Sequence, residues 1–557
     1  MSIFSNRLRK QILVLAVAGV LGAGCAAQAA VPQLAMVARA TALSRGDVVQ
    51  GTMSLSRPIH VTLSLKLRNK PGLEAFLEHA HQPSTPASRR VMSHAQLETD
   101  HLPTAAQAQA VANFLKQAGF KNIRIAANRM LVSADGTAAV ASAAFHTSLA
   151  QVRTHDGRKA FANNAPIHIP ADLQGVVQAV LGLQTVHQAH IMARAATNAL
   201  SGVSITGHFP VEFAGLYQAD GMPPASDVPV GIVSAGDMTQ TMTDFATFIS
   251  AFELAPVATN VICVGDDPSD SNCTAFGDQG GTIEWDLDSQ DIVGMSGGVQ
   301  SLTFYTAPSL NNNDLTTTFA QIVSDNKVPV INVSLGICER FVDAGQGGDG
   351  SAQADDDIFS AAAAQGQTFT VSTGDSGSDE CGDGQLNSAS SPASSPYVVA
   401  VGGTTLSTGR RGQYYTETAW NGGGGSPSSF EVAPQWQIDS GVIGNSQARG
   451  LPDVSFDADP SSGAKIVFNG AFAQVGGTSL AAPLFAGAWA RILESTGMTG
   501  SAAFAAPHLY QGLTTSDFHD VVRGSNGQYR ATVGWDFTTG FGSINVFNAA
   551  SQLNAPH

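Results

Sequence analysis

An α/β fold with a doubly wound parallel sheet is predicted for most of this 557-residue chain, with a small α+β unit ahead of it. Two observations predict it. Beyond His208, short apolar strands alternate with helical periodicity, the pattern of a sheet covered on both faces by crossover helices. Before that point, amphipathic helices and strand-like runs are mixed and carry no chemical motif. Apolar residues make up 43% and charged residues 13%, which excludes a disordered chain or a coiled coil. The length requires at least two folded units.

The chain opens with an export signal. Arg7, Arg9 and Lys10 precede an apolar run from Ile12 to Leu21, and Ala27-Gln28-Ala29 supplies a small-residue cleavage site. The run is too short to span a bilayer comfortably, and no later segment is long and apolar enough. Gly22-Ala23-Gly24-Cys25 resembles a lipoprotein signal with its Leu displaced by one position, so cleavage after Ala29 is favoured.

Residues 30–195 form the α+β unit. Strands are expected at His60–Leu67, Asn122–Ala126 and Met130–Ser133, and helices at Pro71–Ala80, Thr104–Ala118 and Ala138–Phe145. In Thr104–Ala118, the residues Ala105, Ala108, Val111, Phe114 and Leu115 make one apolar stripe. The Ala-rich stretch Ala189–Ser204, with Arg194 inside it, reads as an exposed, cleavable linker. Residues 196–557 form the α/β domain. Its strands are expected at Val228–Ser234, Asn260–Val264, Ser301–Tyr305, Val328–Ser334, Thr368–Ser372 and Tyr397–Val401. Helices lie between them at Thr241–Glu253, Thr282–Val293, Leu315–Asp325 and Asp356–Gln365. Ligands then bind beyond the carboxyl ends of the strands.

The charge is split. Residues 1–200 hold 19 Lys/Arg and 8 Asp/Glu, a net of +11, whereas residues 201–557 hold 9 and 36, a net of −27. So acidic a main domain excludes a nucleic-acid binder. Opposite signs suggest two surfaces that meet; two unrelated domains are the plainer alternative. Removal of the signal also removes Cys25 and leaves Cys263, Cys273, Cys338 and Cys381. In an exported chain this even count predicts two disulfides. Of three pairings, the short loop Cys263–Cys273 with the longer Cys338–Cys381 is favoured. No C-x-x-C or adjacent His supports a zinc site.

Three segments carry chemistry. Gly476-Gly477-Thr478-Ser479-Leu480-Ala481-Ala482-Pro483 follows a strand-like Phe472–Val475 and opens an apolar helix. This places Ser479 beside free N–H groups, as a nucleophile or simply an N-cap. A nucleophilic Ser needs a base. Of the histidines beyond residue 200, namely His208, His508, His519 and His557, none has a catalytic setting. Glu284 and Asp288 sit four apart in a helical pattern and share a face. Two such carboxyls favour keeping a proton between them; a solvated acidic face is the alternative. Asp375 lies in a Gly-flanked turn at the end of a buried strand, placed to donate to an oxyanion when protonated or to make an Asx turn.

Together, Glu284-Trp285-Asp286-Leu287-Asp288-Ser289-Gln290, Val371-Ser372-Thr373-Gly374-Asp375 and Gly476-Gly477-Thr478-Ser479 with Pro483 resemble the sedolisins. These are serine-carboxyl peptidases with a subtilisin-like fold, and the likeness is to bacterial acid peptidases of the pseudomonalisin and xanthomonalisin type. The resemblance covers nearly the whole chain. It implies a secreted, acid-active endopeptidase made with an inhibitory propeptide that also helps it fold. It makes Ser479 the nucleophile, Glu284 its base, Asp288 the acid that orients Glu284, and Asp375 the oxyanion residue. Ser334, Leu335 and Gly336 would pair with an extended polypeptide substrate, and Glu380 falls at the substrate pocket. Pairing of Cys338 with Cys381 agrees with the resemblance. One Ca2+ is implied, held by Asp520 and Asp536 with the carbonyls of Val521, Thr532 and Gly534. Thr532 stands where the family usually has Gly, which a carbonyl ligand tolerates. Asn421-Gly422-Gly423-Gly424-Gly425 lacks the Lys and helix start of a phosphate cradle and is expected to be a flexible loop at the cleft. A monomer that contacts no membrane after signal removal is expected. The competing readings are a His-dependent serine peptidase and a calcium-dependent binding protein that has lost catalysis.

Overall fold

The computed structural model describes residues 33–80, 92–196, 207–265 and 270–554. The expected signal, Cys25, the second half of the linker and His557 lie outside the described residues. From Leu34 onward the chain packs as one unit.

The central sheet of the larger part has eight strands: β1 (Ala225–Ala235), β2 (Ala258–Cys263), β3 (Val299–Ala307), β4 (Val330–Val333), β5 (Thr368–Ser372), β6 (Val399–Thr408), β7 (Tyr414–Ala419) and β8 (Val454–Asp457). They run in the order β2-β3-β1-β4-β5-β6-β7, with β8 also on β6. All pairings are parallel except β6–β7, an antiparallel edge. Helices α1 (Thr239–Ala251), α2 (Thr282–Ser296), α3 (Asn312–Asp325), α4 (Ser351–Gln365) and α5 (Thr478–Thr496) cover it. The inner strands are apolar and largely buried, β4, β5 and β8 completely, as a sheet covered on both faces requires, whereas the edge strands β2 and β7 are mostly exposed or half-buried. The expected doubly wound, subtilisin-like α/β fold is therefore present.

Helices α2 and α5 pack against each other, and α5 also lies on β1, β4, β5, β6 and β8. From Glu284 to Ser296 every residue of α2 is buried, so its apolar residues show no single face. Trp285 donates to Ala235 O at the end of β1 (3.1 Å), and Gln290 exchanges two hydrogen bonds with Val467. These two side chains fix the turn and tilt of the helix that carries Glu284 and Asp288.

The α+β part is built on an antiparallel sheet, in the order Lys121–Ile125, Leu131–Thr137, Pro58–Leu65, Val177–Leu181. Helix Ala105–Ala118 packs on it and starts with a capping box between Thr104 and Gln107, a feature worth about 1 kcal/mol. Val111, Leu115, Val132 and Phe145 help form a core separate from that of the α/β domain. Strands Leu34–Ala38, Val48–Thr52, Leu149–Arg153, Lys159–Asn163 and Ile167–Pro170 were not expected from the sequence. They are only four or five residues long, too short for a readable alternation.

The two parts meet along helix Lys70–Ala80, which lies on α4. Lys70 Nζ is 2.8 Å from Asp357 Oδ1, and Tyr397 Oη donates to Glu74 (3.1 Å). The basic surface thus meets the acidic one. Disulfides join Cys263 to Cys273 and Cys338 to Cys381, the favoured pairing.

Candidate active site

The site lies where α2 and α5 face the carboxyl ends of β4 and β5. Gly477, at φ 105°, turns the chain into α5, so Ser479 sits in its first turn. Pro483 has no N–H to donate to the carbonyl four residues back, which frees Ser479 O. That oxygen accepts from Ser334 Oγ (3.4 Å). Ser334 Oγ also donates to Asp288 Oδ1 (2.6 Å), and Asn332 Nδ2 donates to Ser334 Oγ (2.9 Å). Ser334, read from the sequence only for its backbone, thereby ties the Asp288 carboxyl to the Ser479 peptide.

Glu284, Asp288 and Ser479 are all 0% exposed, which rules out a solvated acidic face. Burial and the neighbouring Asp288 push Glu284 well above the usual carboxylate range. Burial does the same to Asp288, opposed by hydrogen bonds from Ser334 and Asn332. Both shifts favour the protonated forms of the pair. Ser479 lies close enough to favour the Glu284 carboxylate, yet Ser479 Oγ, Glu284 Oε1 and Asp288 Oδ2 have no hydrogen-bond partner among the described residues. A buried hydroxyl near a carboxyl oxygen that lacks another partner is suited to a nucleophile–base pair.

Asp375 follows β5 in a turn with Gly374 at φ 103°, where a Cβ would collide with Glu380. Its Oδ1 accepts from Thr478 N (2.8 Å) and Thr478 Oγ1 (3.0 Å), which holds it beside Ser479. Burial raises its pKa to about 6, against the hydrogen bonds and the Arg194 charge that favour the carboxylate. Glu380, also buried, is raised to about 8 by burial and then by Asp375; it accepts from Ser376 N (3.3 Å). The Gly-rich run Asn421–Gly425 is not a flexible loop. Gly423, Gly424 and Gly425 are buried, Gly424 N donates to Gly374 O and Thr373 Oγ1 donates to Gly424 O (2.8 Å each). Glycine lets this backbone lie directly on the Asp375 turn.

The linker is not simply exposed either. His190-Ile191 pairs antiparallel with Leu335-Gly336, and Arg194-Ala195 pairs with Val475-Gly476. Between them Met192 is 1% exposed. Ala193 N donates to Glu284 Oε2 (2.7 Å), and Arg194 Nε donates to Asp375 Oδ2 (2.8 Å). His190 Nε2 lies 3.7 Å from Glu380 Oε1. The linker thus enters the cleft as an extended strand, an interaction that composition alone does not reveal.

No described imidazole serves Ser479. His208 faces Glu212, His508 meets Ala502 O, and His519 meets Gln218. Two further carboxyl pairs were not anticipated. Asp286 is raised to about 9 by burial and by Asp244, and Asp291 is raised by burial and by Asp457. The repeated carboxyls of Glu284–Asp291 were their only signal.

A model described as the pro-kumamolisin activation domain matches residues 45–186, and one described as the subtilase family matches residues 262–542. Sedolisin from Pseudomonas sp. (strain 101) is 43% identical over 524 residues, covering 89% of this chain and 87% of that protein. This chain belongs to the sedolisin family. Xanthomonalisin from Xanthomonas sp. (strain T-22) is 38% identical over 90% of this chain and 66% of that protein. A solved structure of Pseudomonas sedolisin, a serine-carboxyl proteinase complexed with two molecules of pseudo-iodotyrostatin, is 44% identical with a TM-score of 0.58. It covers 63% of this chain and 98% of its own. As a sedolisin with an activation domain, the chain is a serine-carboxyl peptidase made as a zymogen, with peptides and its own propeptide as partners.

At the C-terminal end, Asp520 Oδ2 accepts from Gly534 N (2.9 Å) and Asp536 Oδ2 from Thr532 N (2.7 Å). Both carboxylates therefore converge on the turn 532–534. The carbonyls of Val521, Thr532 and Gly534 accept no hydrogen bond from the described residues. Two carboxylates with free carbonyls fit a hard cation.

Proposed function

We propose that this sedolisin is an exported endopeptidase that works at acid pH. Ser479 attacks the peptide carbonyl while Glu284 takes its proton. Asp288 orients Glu284 and accepts a hydrogen bond from it, and Ser334 fixes Asp288. Protonated Asp375 donates to the oxyanion, a role its carboxylate cannot fill. Glu284 then returns its proton to the leaving amine, and water hydrolyses the acyl-enzyme. The substrate lies along Ser334-Leu335-Gly336, with Glu380 at its edge. The observation that carries this reading is the buried Glu284–Asp288 pair facing Ser479 with no imidazole among the described neighbours. No helix of the described residues is long and apolar enough to cross a membrane. The basic-then-apolar start of the chain supports secretion, first into the periplasm, and the enzyme is proposed to act as a monomer.

The propeptide comprises residues 30–195 and the catalytic domain 196–557. Near neutral pH the basic propeptide docks through Lys70–Asp357 and Arg194–Asp375 and fills the cleft. Acidification weakens the docking and permits self-cleavage. Asp520, Asp536 and the carbonyls of Val521, Thr532 and Gly534 would hold one Ca2+, whose charge ties the C-terminal loops together.

Clearing of denatured haemoglobin by the purified protein at about pH 4, but not at pH 7 and not by Ser479→Ala, tests the reading. Full activity after His208, His508, His519 and His557 are each replaced by Gln would exclude an imidazole base. Complete inactivity of the wild-type chain at every pH would favour the binding-protein alternative.

A further inference from the structure

We propose that the first peptide bond this proenzyme cuts is its own Met192–Ala193 bond, and that the pocket beside Ser479 takes a long unbranched apolar side chain. The inference rests on the peptidase reading above and assigns its first substrate. Four observations place this bond on the nucleophile. On the amino side, His190 and Ile191 are in register with Gly336 and Leu335, which leaves Met192 next in line, beside Ser334. On the carboxyl side, Arg194 and Ala195 are in register with Gly476 and Val475, three residues before Ser479 and four before it. The Met192 carbonyl oxygen lies against Gly477, where any Cβ would collide with it. That position is also beside Asp375 Oδ2 and the start of α5, where an oxyanion would be received. Finally, Ala193 N donates to Glu284 Oε2 (2.7 Å), so the leaving nitrogen already touches the group that must protonate it.

The pocket is equally specific. Met192 is buried to 1% exposure, and its Cε occupies the space that a side chain on Gly336 would need. Ser390 Oγ, buried and without a hydrogen-bond partner among the described residues, borders the same space. A flexible thioether reaches this depth without branching at Cβ, whereas a charged tip would be desolvated there. Ala193 presents only a methyl group on the leaving side.

The step balances without a co-reactant other than water. Ser479 Oγ bonds to the Met192 carbonyl carbon as its proton passes to Glu284. The C–N bond to Ala193 breaks as that proton passes on to the amine. Water then hydrolyses the ester, leaving a carboxyl on Met192 and a free Ser479 hydroxyl.

Full-length proenzyme purified near neutral pH is shifted to about pH 4, and new chain ends are read over time by mass spectrometry and N-terminal sequencing. The earliest pair of ends is expected at Met192 and Ala193, at a rate independent of protein concentration, with none in Ser479→Ala. Earliest ends anywhere else, including residues 197–206, overturn the inference while leaving the peptidase reading intact. An absence of any cut in the wild-type chain overturns the peptidase reading itself. A second measurement avoids dependence on folding of a variant proenzyme. Mature enzyme is given peptides copying residues 188–196, with Met or with Asp at position 192. Cleavage after Met at least tenfold faster than after Asp is expected, and equal rates overturn the pocket assignment.

Discussion

Replacing Arg194 by Gln should make the proenzyme process itself at a higher pH. In the intact chain Asp375 Oδ2 accepts from Arg194 Nε at 2.8 Å, while Thr478 occupies Oδ1. Asp375 is held near 6 with this guanidinium in place. The guanidinium favours the carboxylate, so its removal raises the pKa and a larger fraction of Asp375 is protonated at any given pH. An opposite charge within about 4–6 Å shifts a carboxyl by roughly 1–3 units. The Arg194 side chain is 52% exposed although that of Asp375 is 1% exposed, so solvent screening favours the lower end. The midpoint for self-cleavage should therefore rise by about one pH unit, equivalent to about 1.4 kcal/mol in the protonation of Asp375. First-order loss of the intact chain after jumps from neutral buffer to a series of lower pH values measures the midpoint. Enzyme trimmed to the catalytic domain 196–557 provides the control, because it lacks Arg194 and its pH profile should be the same whether it comes from the variant or the wild type. A midpoint that stays in place or moves down, in a variant of normal circular dichroism, would refute the idea that Arg194 restrains Asp375.

Glu284→Gln should lower kcat by about 10²–10⁴, the usual range for a lost acid–base group, with KM for a peptide little changed. Asp375→Ala should cost about 10²–10³ in kcat, whereas Asp375→Asn, which remains a donor at all pH values, should flatten the neutral side of the profile. Chelation should lower the melting temperature of wild-type protein and leave that of Asp536→Asn unmoved; an unmoved wild type would remove the calcium proposal. Loss of the Cys338–Cys381 bridge, which closes 43 residues, should reduce stability by up to about 4 kcal/mol in denaturant titrations. Ser479→Ala should melt at a higher temperature at pH 4 than at pH 8. Burial raises Glu284, Asp286, Asp288 and Asp291 above their unfolded values, so their contribution is complete below about pH 4 and is lost as pH rises through the raised values.

The pattern of strands and helices was legible because a covered parallel sheet leaves continuous apolar runs. Thr368–Ser372 is a strand over the residues expected, and α2 begins at Thr282 as expected. Glu284, Asp288, Asp375 and Ser479 stood out because each lies in a locally unusual segment. What joins them was not legible. Ser334 reaches Asp288 across 46 residues and Arg194 reaches Asp375 across 181, distances at which side-chain pairing leaves no periodicity. The same holds for Asp286 with Asp244 and Asp291 with Asp457. Met192 was hidden for another reason: the segment that contains it reads as an ordinary Ala-rich linker until the cleft supplies its strand partners.

Placing carboxyls where other serine peptidases use an imidazole changes what can trigger the enzyme. On the proposed mechanism Glu284 accepts the Ser479 proton while Asp288, held by Ser334 and Asn332, orients it. On that mechanism the component that needs acid is Asp375, while Glu284, raised by burial, acts as a base only in its ionised form. At neutral pH an ionised Asp375 binds Arg194 and presents negative charge to the Met192 carbonyl, opposing the very intermediate that cleavage requires. Protonation removes the charge, frees the donor and weakens the hold on Arg194 together. On the proposed mechanism, one titration thus both arms the oxyanion site and loosens the segment that blocks it, so the linker can lie across the nucleophile in a cleavable register without being cut before export is complete.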